Sequence, residues 1–487
     1  MNRVTIDPIT RLEGHGRIEI FLDDKGNVAN TYLQIPELRG FEKFCEGRPV
    51  EEVARITPRI CGVCPEAHHM AATKAVDAVF HVDPPSPAKK LRELLYSAFY
   101  TGDHATHFYI LAGPDFVVGP TASPAERNIL GLIAKVGIEA GKTVIQTRAM
   151  AHEIVSMLGG KAIHPVCGIP GGVSKGLNAE EQKRCIEIAK GFVEFGKFTF
   201  KVFEDVVLKN KAYVDLILSD AFTHKTYYMG LVDKNNKVNF YDGQIRVVDT
   251  EGKEFARFSP SQYLDNIAEH VEPWTYLKFP YLKKVGWKGL VDGQDSGVYR
   301  AAPLARLNVS DGMATPLAQA EYDKMYKTLG GKPVHQTLAT HWARIIELMY
   351  AAERTLELAQ DPEITSPNIR IIPKETPTEG VGVVEAPRGI LYHHYQTDEK
   401  GMVKKANLIV GTTNNYAAIC MSIKKAAQGL IKAGTAVSEG LLNQVEMAFR
   451  AYDPCFGCAT HDATGRTLLE VRIYDHKREL VDVLKSE

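Results

Sequence analysis

Cysteine is scarce in this chain, eight in 487 residues, which removes the small disulfide-stapled scaffold from consideration. Charge is almost balanced, 58 Lys and Arg against 59 Asp and Glu, so no basic surface able to draw nucleic acid is expected. No apolar run is long enough to cross a bilayer, and Met1 to Pro8 reads straight into a strand rather than a leader, so the expected location is the cytoplasm. Internal repeats and low-complexity segments are lacking. Neither Gly14-His15-Gly16 nor Gly171-Gly172 belongs to a complete dinucleotide or phosphate loop, so no nucleotide is expected on this chain. What is plentiful is core: 45% of residues are hydrophobic, enough for a large buried interior.

The periodicity divides the chain into an N-terminal β region (1–60), a helical core (61–219), an inserted β-rich region (220–312), a mixed helical and β core (313–461) and a tail (462–487), which is an α+β fold. Arg17 to Leu22 alternates before the Asp24-Lys25-Gly26-Asn27 turn, a hairpin signal. Helices are expected near 65–80, 87–112, 123–159, 179–218, 315–361 and 414–450, with strands over 381–410. Ser86 before Pro87 reads as an N-cap.

One of these helices carries an inference of its own. Leu91, Leu95 and Phe99 recur every four residues as a buried stripe, and the same count reaches Asp103 and His107. A carboxylate and an imidazole therefore point inward. Burial makes such groups costly unless they are paired, so the stripe is either a structural polar network or the wall of a site.

Half of the cysteines stand in two Cys-x-x-Cys pairs, Cys61/Cys64 and Cys455/Cys458, at opposite ends of the chain. Four thiolates brought together only by the whole fold can hold a soft metal. Structural zinc is the ordinary meaning of this spacing, but Arg59, His68, Asp453 and His461 flank the pairs, and a closed zinc site has little need of them. Cys45, Cys167, Cys185 and Cys420 stand singly, as small buried hydrophobes do, and offer no run for an iron–sulfur cluster.

Arg59-Ile60-Cys61-Gly62-Val63-Cys64-Pro65-Glu66-Ala67-His68 and Asp453-Pro454-Cys455-Phe456-Gly457-Cys458-Ala459-Thr460-His461 together resemble the two signature motifs of nickel–iron hydrogenase large subunits. Further blocks fall in the family's order: Arg11 to His15, Arg39 to Glu42, Asp103 to Tyr109, His164-Pro165 with Pro170 to Gly172, and Glu385 to Gly389. Pro65 and the His68-His69 doublet look most like the cytoplasmic branch of methyl-viologen-reducing and NAD-linked enzymes.

The resemblance implies a central bundle of long helices with peripheral antiparallel β regions, and the reaction H2 ⇌ 2 H+ + 2 e−. It implies nickel held by all four sulfurs, with Cys61 and Cys455 terminal and Cys64 and Cys458 bridging to an iron that carries one carbon monoxide and two cyanides. Glu13 would take a proton from Cys455. Arg388, beside Pro387 and held by Asp103 and Asp453, would hang over the open metal position. Thr412 would bond a cyanide, and His68 would face the centre; Gly411 replaces the proline usual in the family, which loosens the assignment of 408–413. Glu42, His461 and the carbonyl of Leu408 would hold magnesium.

The implied partners are the iron–sulfur small subunit of a hydrogenase and, beyond it, an acceptor linked to heterodisulfide reductase, NAD or ferredoxin. Two alternatives remain at this point: a redox-silent relative from respiratory complex I, whose members lack the cysteines, and a zinc protein of unrelated fold. Most family members are cut after the histidine of the second motif, so cleavage after His461 is expected. Leu469, Val471 and Ile473 alternate as in a strand and Leu480, Val481 and Leu484 suggest an amphipathic turn, so a retained tail could also pack.

Overall fold

The structure is a computed structural model that describes residues 3–460, 470–474 and 479–485. Strands β1 (Arg3–Ile6), β2 (Arg17–Leu22) and β3 (Val28–Gln34) form the expected antiparallel sheet in sequence order. The hairpin turn is held by Asp23, whose carboxylate accepts from the N–H groups of Lys25 and Asn27, both at 2.9 Å.

Helices follow: α1 (Pro65–Val79), α2 (Ser86–Thr106), α3 (Ile129–Val136), α4 (Ile138–Gly159) and α5 (Ala179–Phe203). The helix expected over 123–159 is two, because Gly137 between α3 and α4 adopts φ 88°, a conformation that breaks the helical ladder. The helix expected over 179–218 likewise ends as an α-helix at Phe203, and a second runs from Lys211 to Leu218. Ser86 is not a cap: Pro85 takes the N-cap position, and the Ser86 hydroxyl donates instead to Glu363 at 2.7 Å. Leu91, Leu95, Phe99, Asp103 and His107 are all buried, as their stripe requires.

The β-rich region supplies β4 (Tyr227–Val232), β5 (Gln244–Val248) and β6 (Glu254–Phe258). β4 is buried along its whole length. Then come α6 (Pro303–Val309), α7 (Pro316–Thr328), α8 (Thr340–Gln360), the antiparallel strands β7 (Glu379–Ala386), β8 (Gly389–Thr397) and β9 (Val403–Ile409), and α9 (Gly411–Leu430) with α10 (Glu439–Arg450). The single helix expected over 414–450 is thus a pair. α8 packs against α5 and α2, and α2 against α4, which makes the central helical bundle.

α1 lies on β7 and β8, and the sequence permits this at two points. A Cβ on Gly380 would come within 2.3 Å of the Ala75 carbonyl oxygen, and one on Gly382 within 2.1 Å of that of Ala71. Only glycine lets the strand approach the helix so closely. The contact fixes the first cysteine loop, which opens α1, against the Arg388 turn, which joins β7 to β8. Beyond the second cysteine pair, Glu470–Tyr474 forms the expected strand. Leu480–Lys485 pairs with it antiparallel, so it is a strand whose ladder bonds exclude the expected helical turn. Leu469 lies outside the described residues.

Candidate metal centre

Each cysteine loop is built by its neighbours. Cys64 caps α1, with Pro65 in the first helical turn, so Cys61 and Cys64 turn toward one another at 3.1 Å between sulfurs. In the second loop Cys455 and Cys458 lie 2.9 Å apart, and Cys455 meets Cys61 at 3.5 Å. All four sulfurs lie within 4.8 Å of one another and all four cysteines are buried. An ion about 2.3 Å from each sulfur would span such a set. Four buried thiols this close cannot all ionise unaided, because each new negative charge raises the next pKa; a cation among them resolves the conflict. The donor set therefore fits a soft transition metal.

The sulfurs are not equivalent. The N–H groups of Val63 and Cys64 donate to Cys61 Sγ at 3.2 and 3.0 Å. Burial opposes ionisation there, yet hydrogen bonds from the neighbouring cysteines and the charge of Arg388 hold Cys61 well below the usual thiol pKa. Cys455 goes the other way, pushed well above it by burial and by its sulfur neighbours.

Glu13 reaches Cys455 through a short backbone pairing, in which Phe456 N–H donates to the Glu13 carbonyl at 3.0 Å. The Cys455 thiol donates to Glu13 Oε2 at 2.9 Å, and the Gly457 N–H donates to the same oxygen at 3.0 Å. Burial raises the Glu13 pKa, against the pull of those two bonds. Carboxyl and thiol thus compete for one proton.

Arg388 is buried and held from two sides. Its Nη1 lies 3.3 Å from Asp103 Oδ1 on α2, and its Nη2 forms an ion pair with Asp453 Oδ2 at 2.9 Å. Arg388 also feels the charges of Cys455 and Cys64, and these anions hold its pKa well above normal although burial opposes them. Burial lifts Asp453 to about 7, with Arg388 and Arg344 pulling it down. Breaking such a pair from one side costs about 3–5 kcal/mol.

The other sequence-derived positions divide. The Thr412 hydroxyl oxygen accepts from the Cys455 N–H at 3.0 Å and keeps its own proton to give. Pro387 is buried, and its carbonyl accepts from Arg306 at 3.1 Å. His68 is buried, with Nε2 lacking a partner. Glu42 is paired with Arg39, whose Nη1 lies 3.1 Å from each carboxylate oxygen while its Nε donates to the Cys458 carbonyl at 2.7 Å. Leu408 is buried on β9 opposite His393. His461 lies outside the described residues.

Sequence reasoning missed the network behind the Arg388 turn. Arg306 on α6 grips Glu347 of α8 through Nε and Nη2 at 2.6 and 2.7 Å, and donates to Glu385 at 3.1 Å and to the Ala386 carbonyl at 2.8 Å. His104 closes the network on Glu347 at 2.9 Å. Tyr96 and Tyr100 both donate to the Glu385 carbonyl. The available signal was an anion set in an apolar run, Ile345-Ile346-Glu347-Leu348-Met349.

The model of the nickel-dependent hydrogenase family matches residues 39–134 and 142–461, and a HoxL-like model matches residues 3–38. The chain is 52% identical over 486 residues to an F420-non-reducing hydrogenase iron-sulfur subunit of Archaeoglobus profundus, covering 100% of both. It is 36% identical to the NAD-reducing hydrogenase HoxS subunit beta of Cupriavidus necator, covering 99% of each. Among solved structures, an NAD+-reducing NiFe-hydrogenase in the H2-reduced state superposes with a TM-score of 0.86 at 36% identity, over 95% of this chain and 100% of that one. An unrelated zinc fold is thereby excluded, and the retained cysteines separate the chain from redox-silent relatives. The chain belongs to the nickel-dependent hydrogenases, as a large, catalytic subunit.

Proposed function

We propose that this hydrogenase subunit splits and forms H2 at a nickel–iron pair held by Cys61, Cys64, Cys455 and Cys458, with Glu13 as the first proton carrier. The observation that carries the reading is the 2.9 Å contact of Cys455 Sγ with Glu13 Oε2 at the edge of a four-sulfur pocket. When bound, the metal pair supplies the site at which H2 is polarised and its electrons are taken up. The protein supplies the rest. The Cys455 sulfur holds the released proton and Glu13 accepts it, a transfer between groups already at hydrogen-bond distance. Arg388 keeps a fixed positive charge facing the pocket, and Asp103 and Asp453 keep its guanidinium from turning away.

Carbon monoxide and two cyanides on iron belong to the same proposal, with the free Thr412 proton available to one cyanide and His68, one helical turn beyond Cys64, as a further residue facing the centre. Glu42, the Leu408 carbonyl and His461 are the proposed magnesium ligands; Arg39 donates one bond to each Glu42 oxygen, and a second lone pair on each remains for a hard cation. The other four cysteines form no cluster site among the described residues, so electrons leave through an iron–sulfur small subunit. The NAD-reducing relative supports an NAD-linked acceptor beyond it, and acceptors linked to heterodisulfide reductase or ferredoxin fit the same exit. No helix among the described residues is long and apolar enough to cross a membrane, which fits the proposed cytoplasmic location. Metal analysis with infrared spectroscopy of the purified complex tests the reading: nickel, iron and diatomic-ligand bands are expected, and zinc alone would overturn it.

A further inference from the structure

Pro387 and Arg388 are the two residues of the buried turn that joins β7 to β8. Turns usually lie at the surface, where water meets their carbonyls; a buried turn has to find donors inside the protein. Four carbonyls in succession do so here, and each partner is a buried side chain. The Glu385 carbonyl accepts from the Tyr96 and Tyr100 hydroxyls, the second at 2.7 Å. The Ala386 and Pro387 carbonyls accept from Arg306 at 2.8 and 3.1 Å, and the Arg388 carbonyl accepts from Asn415 Nδ2 at 2.7 Å. Asn415 is itself fixed, since its Oδ1 accepts from the Ala301 N–H at 2.8 Å.

Arg306 is fully buried on α6, and its guanidinium has five N–H groups. All five are engaged. The Nε proton and one Nη2 proton go to the two oxygens of Glu347, one Nη1 proton goes to Glu385, and the remaining two go to the carbonyls that precede Arg388. A planar fork with every donor taken has a single orientation. Asp103 and Asp453 hold only the far end of Arg388, whereas Arg306 and Asn415 hold its base.

Because a peptide unit is planar, holding the Pro387 carbonyl fixes the plane before the Arg388 Cα, and holding the Arg388 carbonyl fixes the plane after it. The two planes set φ and ψ of Arg388, and with them the direction in which its side chain leaves the backbone. We propose that Arg306 is a positioning residue for Arg388: by gripping the Ala386 and Pro387 carbonyls it sets the line along which the Arg388 guanidinium reaches the sulfur pocket. This rests on the proposed role of Arg388 in the reaction. A displacement of about 1 Å costs on the order of 10²-fold in rate, so a partial release of the turn shows in turnover before it shows in assembly.

The test is made on the whole complex with Arg306→Lys and Arg388→Lys, singly and together. Lysine keeps a charge between Glu347 and Glu385 but cannot hold both carbonyls as a fork does. Arg306→Lys should keep wild-type nickel content and KM for H2 while kcat falls about tenfold, and in the Arg388→Lys background it should change kcat less than about twofold. Should the lysine variant fail to assemble, Glu347→Gln, which loosens the same fork, takes its place in the cycle with the same expected pattern. Arg92→Lys is the control: this buried arginine holds Asp77 and the carbonyls of Ile169 and Gly172, the latter two at 3.1 and 2.6 Å, and its variant should lose thermal stability with unchanged turnover. Wild-type kcat in the Arg306 variant, an equal fall in the Arg92 variant, or the same factor with and without Arg388 overturns the proposal. If Arg388→Lys itself turned over at the wild-type rate, the role of Arg388 in the reaction would fall, and a crystal structure of the Arg306→Lys complex would still decide the positioning: Arg388 moved away from Asp103 supports it, and Arg388 unmoved overturns it.

Discussion

The two cysteine pairs are alike in spacing and opposite in surroundings. Around Cys61 two backbone N–H groups point at the sulfur and an arginine charge lies near, so this sulfur of the first pair is set to hold an anion. Around Cys455 the nearest partner is a carboxyl, and the sulfur keeps its proton far more tightly. Each pair also has a neighbouring glutamate, half-buried Glu13 and buried Glu66, and these differ too. Glu13 is bonded to Cys455, whereas Glu66, two residues past Cys64, is met by its own backbone N–H and by the charge of Arg148. In the proposed reaction the repeated motif is thus divided, with Cys61 favouring the anion and Cys455 set beside a proton acceptor.

The most severe way to break this comparison is to remove one member of a pair. Cys64→Ser and Cys458→Ser should each give a complex with little or no nickel and no H2 uptake, because the hard hydroxyl cannot replace a soft thiolate in a four-sulfur set. Metal analysis checks this, and full nickel content in either variant would take that residue out of the site. Glu13→Gln should separate the pairs instead. The amide keeps the shape but cannot carry a proton, so nickel should stay at wild-type content while H2 oxidation falls about 10²–10⁴-fold. Unchanged turnover in that variant would show that the downstream pair is not the proton exit.

A third change acts between the pairs. Arg388 spans from Asp103 to Asp453 as a planar fork, which a single ammonium cannot do. Arg388→Lys is expected to leave nickel in place and to lower turnover by roughly 10²-fold. Loss of nickel in step with activity would make Arg388 a structural residue and not part of the reaction.

The four cysteines stood out in the sequence by their paired spacing and Arg388 through the resemblance of its block, and the structure gathers the four sulfurs and buries Arg388 between Asp103 and Asp453. Asp103 could be placed inward from periodicity alone, since a helix puts every fourth residue on one face. The network of Arg306, Glu347 and Glu385 was not legible in the same way. A buried arginine is satisfied by partners that sequence distance does not disclose, here 41 and 79 residues away. The helix breaks escaped for a different reason: Gly137 reads as one tolerated glycine in an apolar periodic run, and only its left-handed φ ends the helix.

The smallest expected effect on turnover comes from the glutamate of the first pair. Glu66 is buried at the start of α1, its carboxyl met by its own backbone N–H, and burial lifts its pKa to about 8, with Asp103 and Cys61 adding to the rise. In the unfolded chain the same carboxyl ionises near the ordinary value of 4.5. Between these values the native state binds a proton that the unfolded state has released, so stability must fall as pH rises from about 4.5 to about 8. The cost is complete above that range and amounts to ~3–5 kcal/mol. Glu66→Gln removes the ionisation and keeps the shape. It should leave H2 oxidation within about twofold of wild type, yet flatten the alkaline loss of thermal stability that the wild-type complex shows. Thermal unfolding of both complexes across that pH range is the check. If the two curves ran parallel, Glu66 would already be ionised in the native protein; if turnover collapsed as in Glu13→Gln, the upstream pair would also carry protons and the division between the pairs would fail.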